Sequence, residues 1–216
     1  MIETLARPPP SVAEPASQRK RRAVTEAAAR LFMRQGYGAT SMDAVARAAG
    51  VSKATLYAYF DGKDALFAAI VGEACARQAE GGHCAFASAS GDLRDRLGEV
   101  GRSYLSFLLR DEVLAIHRVV LAEGPRFPEL GRAFFEAGPR RMVAWLAGEL
   151  RLLQHQGRLR AGDPTLAAEQ FLSLLRPSAF LRRLLGVPPE PDPAEIDRVV
   201  AAAVETFLRS WTSDGA

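Results

Sequence analysis

The sequence predicts an all-α protein of about nine or ten helices. Apolar residues recur at helical spacing along most of the chain, whereas the alternation typical of half-buried strands never persists beyond a few positions. β-Branched residues are sparse, and residues that cap or break helices separate the periodic stretches. These observations favour packed helices over any fold that contains a sheet.

The N-terminus is predicted to be a disordered arm followed by one amphipathic helix. The stretch 7–17 is rich in proline, alanine and serine and shows no periodicity, so residues 1–17 are expected to be disordered. From Ser17 onward, one helical face collects Val24, Ala27, Ala28, Leu31 and Phe32. Gly36 should end this helix, because glycine adopts the left-handed conformation of a C-terminal cap at little steric cost.

Two short helices and a longer one are expected next. Thr40 or Ser41 is a good N-cap for the second helix, which Gly50 should end. Ser52 can cap the third helix in the same way, and Lys63 opens the longer fourth helix after an Asp-Gly break. A tight turn therefore separates two short helices, with a glycine at the position where a turn needs conformational freedom.

Six further helices are predicted in the rest of the chain. They are expected to begin near Asp92, Asp111, Pro128, Pro139, Asp163 and Asp192. Two of these starts are strong, since an aspartate that can cap the helix stands directly before a proline in the first helical position. Arg176-Pro177 should kink or interrupt the helix that begins after Asp163, because proline removes one hydrogen bond and clashes with the preceding turn.

Residues 41–60, SMDAVARAAGVSKATLYAYF, have the pattern of a helix-turn-helix. In such a unit the second helix enters the major groove of DNA, and its N-terminal residues meet base edges. This helix and its end carry the donors, the small methyl group and the hydroxyls that base edges and phosphates require. The candidate DNA contacts are Lys53, Ala54, Thr55, Tyr57, Tyr59 and Lys63. Lys53 and Thr55 are assigned to base edges, and Lys63, at a helix N-terminus, to a phosphate.

Over about residues 17–79 the sequence also resembles the tetracycline-repressor-like (TetR/AcrR) family of bacterial regulators. The run AAARLFMRQGYGATSMDAVARAAGVSKATLYAYFDGKDALFAAIV carries the resemblance. It implies a three-helix DNA-binding head over 18–78, a helical effector-binding and dimerising body over 79–216, and further phosphate contacts at Thr40 and Ser41. It also implies a regulator, usually a repressor, that a small molecule releases from operator DNA.

The body is similar to the AefR-like branch of the family's effector domains. The runs LAEGPRFPELGRAFFEAGPRRMVAWL and LAAEQFLSLLR carry this likeness, which implies a ligand cavity. Aromatic residues are plentiful there, and the candidates for the cavity wall are Phe107, His117, Phe135, Trp145 and Phe171. Because the charge balance of residues 65–216 is near neutral, the expected effector is a small apolar or amphipathic molecule.

The last two predicted helices have long apolar faces. The first carries Leu166, Phe171, Leu174 and Leu175, and the second carries Ile196, Val199, Val200, Ala203, Val204, Phe207 and Trp211. An internal core would account for these faces. The family resemblance implies instead that two helices from each chain form a four-helix interface, so a homodimer is expected.

Charge and composition narrow the remaining possibilities. Residues 1–64 hold 10 of the 28 Lys and Arg residues and 6 of the 25 Asp and Glu residues, a net charge of +4 that suits a polyanion-binding head. The sequence has no apolar run long enough to cross a membrane, and its first residues predict no secretory leader. With only two cysteines, the protein is expected in the cytoplasm with reduced thiols.

An enzyme and a protein-binding adaptor are the alternatives to a regulator. The sequence has no nucleophile elbow and no phosphate-cradling glycine loop, and its three histidines lack metal-ligand spacing. No catalytic residue, metal or cofactor is therefore expected. A helical adaptor could use the same helix-turn-helix to bind protein, and salt-sensitive DNA binding would distinguish the regulator from it.

Overall fold

The regular structure of the chain is α-helical, which confirms the predicted all-α fold. A computed structural model describes residues 15–88, 92–176 and 178–212, with the backbone alone at 81–88. Those ranges contain eleven helices and no strand: α1 (Ala16–Gln35), α2 (Met42–Ala49), α3 (Lys53–Tyr59), α4 (Lys63–Ser88), α5 (Leu93–Leu108), α6 (Asp111–Glu123), α7 (Pro128–Ala137), α8 (Pro139–His155), α9 (Pro164–Leu174), α10 (Ser178–Leu185) and α11 (Pro193–Trp211). Residues 1–14 of the predicted arm lie outside the described residues, and Ala16 already belongs to α1.

Most helix boundaries lie where the sequence predicted them, because local capping determines them. A side-chain oxygen accepts a backbone N–H of the first turn at Ser41, Ser52, Asp92, Asp163 and Asp192. The predicted interruption after Arg176 separates α9 from α10, which adds the eleventh helix. Pro177 itself lies outside the described residues.

One hydrophobic core joins the first four helices to α6 and α7, and we call it the head core. Phe32, Tyr37 and Phe67 pack on one another in it, with ring centroids 5.4–5.9 Å apart. Leu130 of α7 is fully buried there, and Phe127, just before α7, packs edge-on against Tyr37 at 5.4 Å. The helix-turn-helix therefore shares its core with two helices from the later part of the chain.

A second hydrophobic core, the body core, holds α5, α8, α9 and α11 together. Phe171 of α9 is fully buried in it, and Phe207 of α11 packs against Phe171 with ring centroids 5.1 Å apart. Trp211 stacks on Phe207 and donates a hydrogen bond from Nε1 to Gln170 at 2.9 Å, which satisfies its polar atom. The C-terminal helix is thus bound along much of its length to α5 and α9.

Helix α4 runs along both cores and packs against α1, α5, α7 and α8. Its Val71 side chain belongs to the head core, and its Cys75 side chain packs against both cores. The two cores therefore meet along α4. This seam is where the structure leaves a cavity.

Candidate DNA interface and small-molecule cavity

The α2–α3 unit is a helix-turn-helix that leaves one side of α3 exposed. Gly50 takes a φ of 66° between the two helices, a left-handed conformation that other residues disfavour. Leu56 of α3 is fully buried in the head core, so the opposite side of the helix faces solvent. That side presents Lys53, Ala54 and Tyr57, and the 44% exposure of Tyr57 is high for an aromatic side chain. A surface of this kind can enter a major groove.

Polar contacts position the donors at the N-terminal end of α3. Lys53 Nζ lies 2.9 Å from Asp43 Oδ1 on α2, and this hydrogen-bonded carboxylate raises the pKa of the lysine. Thr55 Oγ1 lies 2.8 Å from Ser52 Oγ. At the start of α2, the exposed Ser41 accepts a backbone N–H through Oγ and keeps its own hydroxyl proton to donate. Ser41, Lys53 and Thr55 are thus accessible, as a DNA contact requires.

Two of the predicted phosphate contacts lie away from the exposed side of α3. Thr40 is only 2% exposed, and its hydroxyl donates to the Gly36 carbonyl oxygen at 2.7 Å. Its backbone N–H donates to the Tyr37 carbonyl, so the hydrogen bonds of Thr40 stabilise the α1–α2 turn. Tyr59 is half-buried beside α1 and α4, where it lines a groove with Arg21.

Lys63 begins α4, as predicted, and its ammonium group has partners within the protein. Its Nζ donates to the carbonyl oxygens of Tyr37, Thr40 and Gly38 at 2.7, 3.1 and 3.4 Å. These three acceptors match the three protons of the ammonium group, and burial lowers the pKa of Lys63. Burial also raises the pKa of the Tyr37 phenol beside it, to about 12. Lys63 thus binds the carbonyl side of the α1–α2 turn.

Sequence reasoning missed Glu123, the last residue of α6. Its two carboxylate oxygens accept the backbone N–H groups of Tyr37 and Gly38 in the same turn. A Cβ atom at position 38 would lie 2.9 Å from the Glu123 carboxylate and 3.0 Å from the Phe127 ring, so a larger residue there would displace the carboxylate. Lys63 and Glu123 thus hold the turn from its carbonyl side and its N–H side, directly before α2. We call this arrangement the turn clamp.

A partly enclosed cavity of about 470 Å³, mouth included, lies at the seam between the two cores. Its wall is mostly apolar and draws on α4, α5, α6, α7 and α8, with one residue that follows α9. The lining residues that matter most here are Ala74, Cys75, Phe107, His117, Phe134 and Arg176. Phe107 and His117 were among the five residues predicted for the wall.

The other three residues predicted for the wall lie elsewhere. Phe171 is buried in the body core against Phe207, and Trp145 packs against the same core without lining the cavity. Phe135 is 56% exposed on α7, and its neighbour Phe134 lines the cavity instead. One step along a helix rotates a side chain by about 100°, so adjacent aromatic residues have opposite fates that composition does not reveal.

His117 and Arg176 bring polar groups to this apolar wall. His117 Nδ1 lies 2.8 Å from the Val113 carbonyl oxygen, and the imidazole packs edge-on against Phe134 and Phe180 at 5.0 and 5.4 Å. Burial lowers the pKa of His117, and the charge of Arg176 acts in the same direction. The imidazole is therefore neutral at physiological pH.

Helices α9 and α11 border a surface groove with an apolar lip. Leu166 and Leu174 of α9 are 47% and 38% exposed and line this groove with Thr206 of α11. Buried side chains of the same helices, among them Phe171 and Phe207, belong to the body core. Each helix therefore has one face in the core and another available for contact.

Other chemical features are few in the part of the chain that the structure describes. None of the described helices has both the length and the apolar character that a membrane crossing needs. Within the same ranges, no three His, Cys, Asp or Glu side chains gather around a possible metal position. Burial raises the pKa of the Cys75 thiol, which disfavours the reactive thiolate. The side chains of His83 and Cys84 lie outside the described residues.

Two family models match the chain, one on each side of residue 80. Residues 24–70 match the bacterial regulatory proteins of the tetR family. Residues 95–212, more than half of the chain, match the C-terminal domain of AefR-like transcriptional repressors. The first match covers the helix-turn-helix, and the second covers most of the cavity and the α9–α11 groove.

Solved structures resemble the chain over nearly its whole length. A TetR-family transcriptional regulator from Mesorhizobium loti is 31% identical with a TM-score of 0.78, covering 93% of this chain and 100% of the other. The flavonoid-responsive regulator FrrA is 37% identical with a TM-score of 0.76, covering 92% and 100%. The HTH-type transcriptional regulator YhgD of Bacillus subtilis is 44% identical over 48 residues, which span 22% of this chain and 25% of YhgD.

Proposed function

The chain belongs to the tetR family of bacterial regulatory proteins, and on that premise we propose that it is a repressor which a small molecule releases from operator DNA. It is a DNA-binding transcriptional regulator with an AefR-like C-terminal domain. One observation carries the repressor-and-release proposal: the cavity lies at the seam between the core that holds the helix-turn-helix and the core that holds the rest of the body. Since its target is DNA, we place its action in the cytoplasm.

We assign DNA binding to residues 18–78, with the helix-turn-helix at 41–60, and effector binding and dimerisation to 79–216. Lys53 and Thr55 are the proposed base contacts, and Ala54 is the proposed contact for a thymine methyl group. Phosphates are assigned to Ser41, Tyr57 and, at the edge of the interface, Tyr59. Thr40 and Lys63 act by shaping the turn before α2.

A binding experiment separates these roles. Mobility shifts with DNA from upstream of the gene should show binding that weakens steeply as salt rises, since phosphate contacts release counterions. Lys53→Ala and Thr55→Ala should change the ranking of operator variants, because each good hydrogen-bonded pair with a base contributes roughly 1–3 kcal/mol of discrimination. Lys63→Ala should weaken all sites about equally and also lower the thermal stability of the head. A changed ranking of sites in Lys63→Ala would contradict this division of roles.

We propose that the exposed faces of α9 and α11 form the homodimer interface. Two heads must lie about 34–36 Å apart to enter successive major grooves, which requires a fixed dimer. Replacing both Leu166 and Leu174 by glutamate should convert the dimer into monomer in light scattering, because unpaired charges would enter an apolar contact. Leu121→Glu, at an exposed leucine on α6, is the control and should stay dimeric. A dimeric double variant would remove this interface.

Release follows from differential binding. A ligand can bind more tightly to a body conformation in which the two heads of the dimer are spaced differently. It then lowers the affinity for DNA by the difference between its own affinities for the two conformations. Helix α6 can carry the change, because Val113 near its start and His117 at its middle line the cavity, and Glu123 ends it at the turn clamp. The ligand's binding free energies for the two conformations must differ by about 5.5 kcal/mol to move the equilibrium from 1:99 to 99:1. A buried apolar ligand can supply much of this difference, at about 25 cal/mol per Å² of apolar surface removed from water.

We propose that the effector is a compact, mostly apolar molecule with aromatic character. The apolar wall supports this, and so does the similarity to FrrA, which is described as flavonoid-responsive. A thermal-shift screen of flavonoids and other aromatic compounds, followed by operator-release assays on each hit, tests the proposal. Hits that stabilise the protein without weakening operator binding would contradict ligand release. We further propose that the bound molecule leaves unchanged, and chromatography of the released ligand would detect turnover.

A further inference from the structure

Two polar side chains in the mostly apolar wall of the cavity, His117 and Arg176, differ in exposure. His117 is half-buried and packs edge-on against two aromatic rings, whereas Arg176 is exposed. A ligand that fills the cavity meets both. The hydrogen-bonding state of each group therefore indicates what the ligand must carry.

The contact between His117 and Val113 determines which imidazole nitrogen can accept a hydrogen bond. The Val113 carbonyl oxygen can only accept, so the Nδ1 atom 2.8 Å away carries the proton. Since burial keeps the ring neutral, Nε2 retains its lone pair. No described residue donates a hydrogen bond to Nε2. A hydroxyl group on a ligand would find an acceptor at this atom.

Arg176 is a cation whose partner among the described residues is neutral. Its Nη2 lies 3.4 Å from the Tyr104 hydroxyl, and none of the described carboxylates forms an ion pair with it. A guanidinium group binds oxyanions most strongly, often through two parallel hydrogen bonds. One cation in an otherwise apolar wall can neutralise one negative charge, and a second charge would lose its hydration without compensation.

We propose that the effector is an aromatic weak acid whose single anionic oxygen binds Arg176 and whose hydroxyl group donates to Nε2 of His117. Its rings lie against Phe107 and Phe134, which also line the cavity and favour aromatic partners. The anionic oxygen belongs to a carboxylate or to an acidic phenolate. This inference rests on the proposed ligand response and specifies the chemistry of the same cavity.

Four biphenyls test both contacts on one carbon frame. They are biphenyl with a carboxylate at one end and a hydroxyl at the other, the two compounds with either group alone, and plain biphenyl. Titration calorimetry on the full chain should give the tightest binding for the doubly substituted compound. Removing its carboxylate should weaken binding about tenfold, and removing its hydroxyl about fivefold, as expected for charged and neutral hydrogen bonds. Equal affinities across the set would overturn the proposal.

Two variants assign each preference to its residue. Arg176→Gln should abolish the preference for the carboxylate and keep the preference for the hydroxyl, whereas Arg176→Lys should keep part of the first. His117→Phe preserves the ring and should abolish only the hydroxyl preference. Arg151→Gln, at an exposed arginine outside the cavity, is the control and should behave as the wild type. Both preferences persisting in both variants would also overturn the proposal.

The choice of frame and the release function are tested separately. If the biphenyls and the matching naphthalene and benzene sets all bind more weakly than about 1 mM, the cavity does not take this class of ligand. Anisotropy of labelled operator DNA reports release independently of binding. If the protein binds the four biphenyls with the expected order of affinities but keeps the operator DNA, the proposed function is contradicted and the proposed ligand chemistry stands. Release that is equal in wild type and both variants would contradict the ligand chemistry alone.

Discussion

The head core and the body core differ in how they draw on the chain. The body core is formed by helices that all lie in the region assigned to effector binding. The head core combines the helix-turn-helix with Leu130 of α7 and with Phe127, which packs against Tyr37. Packing therefore divides the molecule along the seam that holds the cavity, and not at the end of the DNA-binding segment near residue 78.

Helix α6 shows the consequence of this division within one element. Near its start, Val113 belongs to the body core and lines the cavity. Its last residue, Glu123, binds the α1–α2 turn. Ten residues of helix span about 15 Å, so one rigid element connects the cavity with the turn before α2. A separation of the two cores at the cavity would act directly on the head.

The largest effects should come from emptying each core in turn. Leu130→Ala and Leu150→Ala remove the same atoms from fully buried sites in the head core and the body core. Each should lower the free energy of unfolding by about 2–5 kcal/mol. Hydrogen exchange should increase in α1–α3 for Leu130→Ala, and in α5, α8 and α9 for Leu150→Ala. Equal increases in both regions would mean that the two cores are one unit.

Filling the cavity should affect ligand binding without affecting DNA binding. Ala74→Leu places three extra carbon atoms in the cavity wall and should weaken ligand binding at least tenfold, about 1.4 kcal/mol, with operator affinity unchanged. Ala144→Leu, at an exposed position of α8 outside this cavity, is the matched control. Titration of ligand and of operator on each variant measures both effects. If Ala74→Leu lowers the affinity for operator DNA, the cavity wall influences the DNA-binding helices even without a ligand.

The turn clamp should transmit the ligand signal. Glu123→Gln retains shape and one acceptor but removes the charge and the second acceptor that the two N–H groups need. We expect the coupling free energy between ligand and operator to fall by about 0.5–2 kcal/mol. Operator titrations with and without ligand give this quantity directly. Glu112→Gln, an exposed glutamate in the first turn of the same helix, should leave it unchanged.

The smallest effect should come from a change confined to the exposed side of the head. Asp43→Asn releases Lys53 from its ion pair and removes a negative charge near the proposed DNA surface. The affinity for operator DNA should rise about twofold to fivefold for all operator sequences, because a solvent-exposed ion pair contributes only a small interaction energy. Ligand affinity, measured by the same calorimetry, should stay the same. Glu99→Gln on α5 provides the charge control.

Local physics explains how much of the fold could be predicted. Ser41, Ser52 and Asp92 cap helices within three residues of themselves, and Gly50 ends α2 through its own φ angle. Such signals lie within a few consecutive residues, so the sequence displays them. The exposed side of α3 followed from the same short-range pattern, because Leu56 points inward.

The rest of the site depends on contacts between distant segments. Phe134 and Phe135 are adjacent residues of the same type, and only the packing of α7 places Phe134 in the cavity wall and Phe135 in solvent.

The sequence around Glu123 does contain a local signal of its contact. An acidic residue at the last position of a helix is opposed by the helix dipole, so its presence there indicates a tertiary partner. Its two partners, Tyr37 and Gly38, lie on another helix connection and could not be identified without the fold.

The turn clamp also bears on how related proteins exchange parts. Glu123 binds backbone N–H groups, so the identity of most side chains in the turn does not affect the contact. Related proteins should therefore show no correlated substitutions between Glu123 and these side chains. The contact does favour a glycine at position 38, because a Cβ atom there would displace the Glu123 carboxylate. A DNA-reading segment transplanted from a relative should therefore keep its regulation when it carries that glycine. Chimeras that lack it should bind DNA and ignore the ligand.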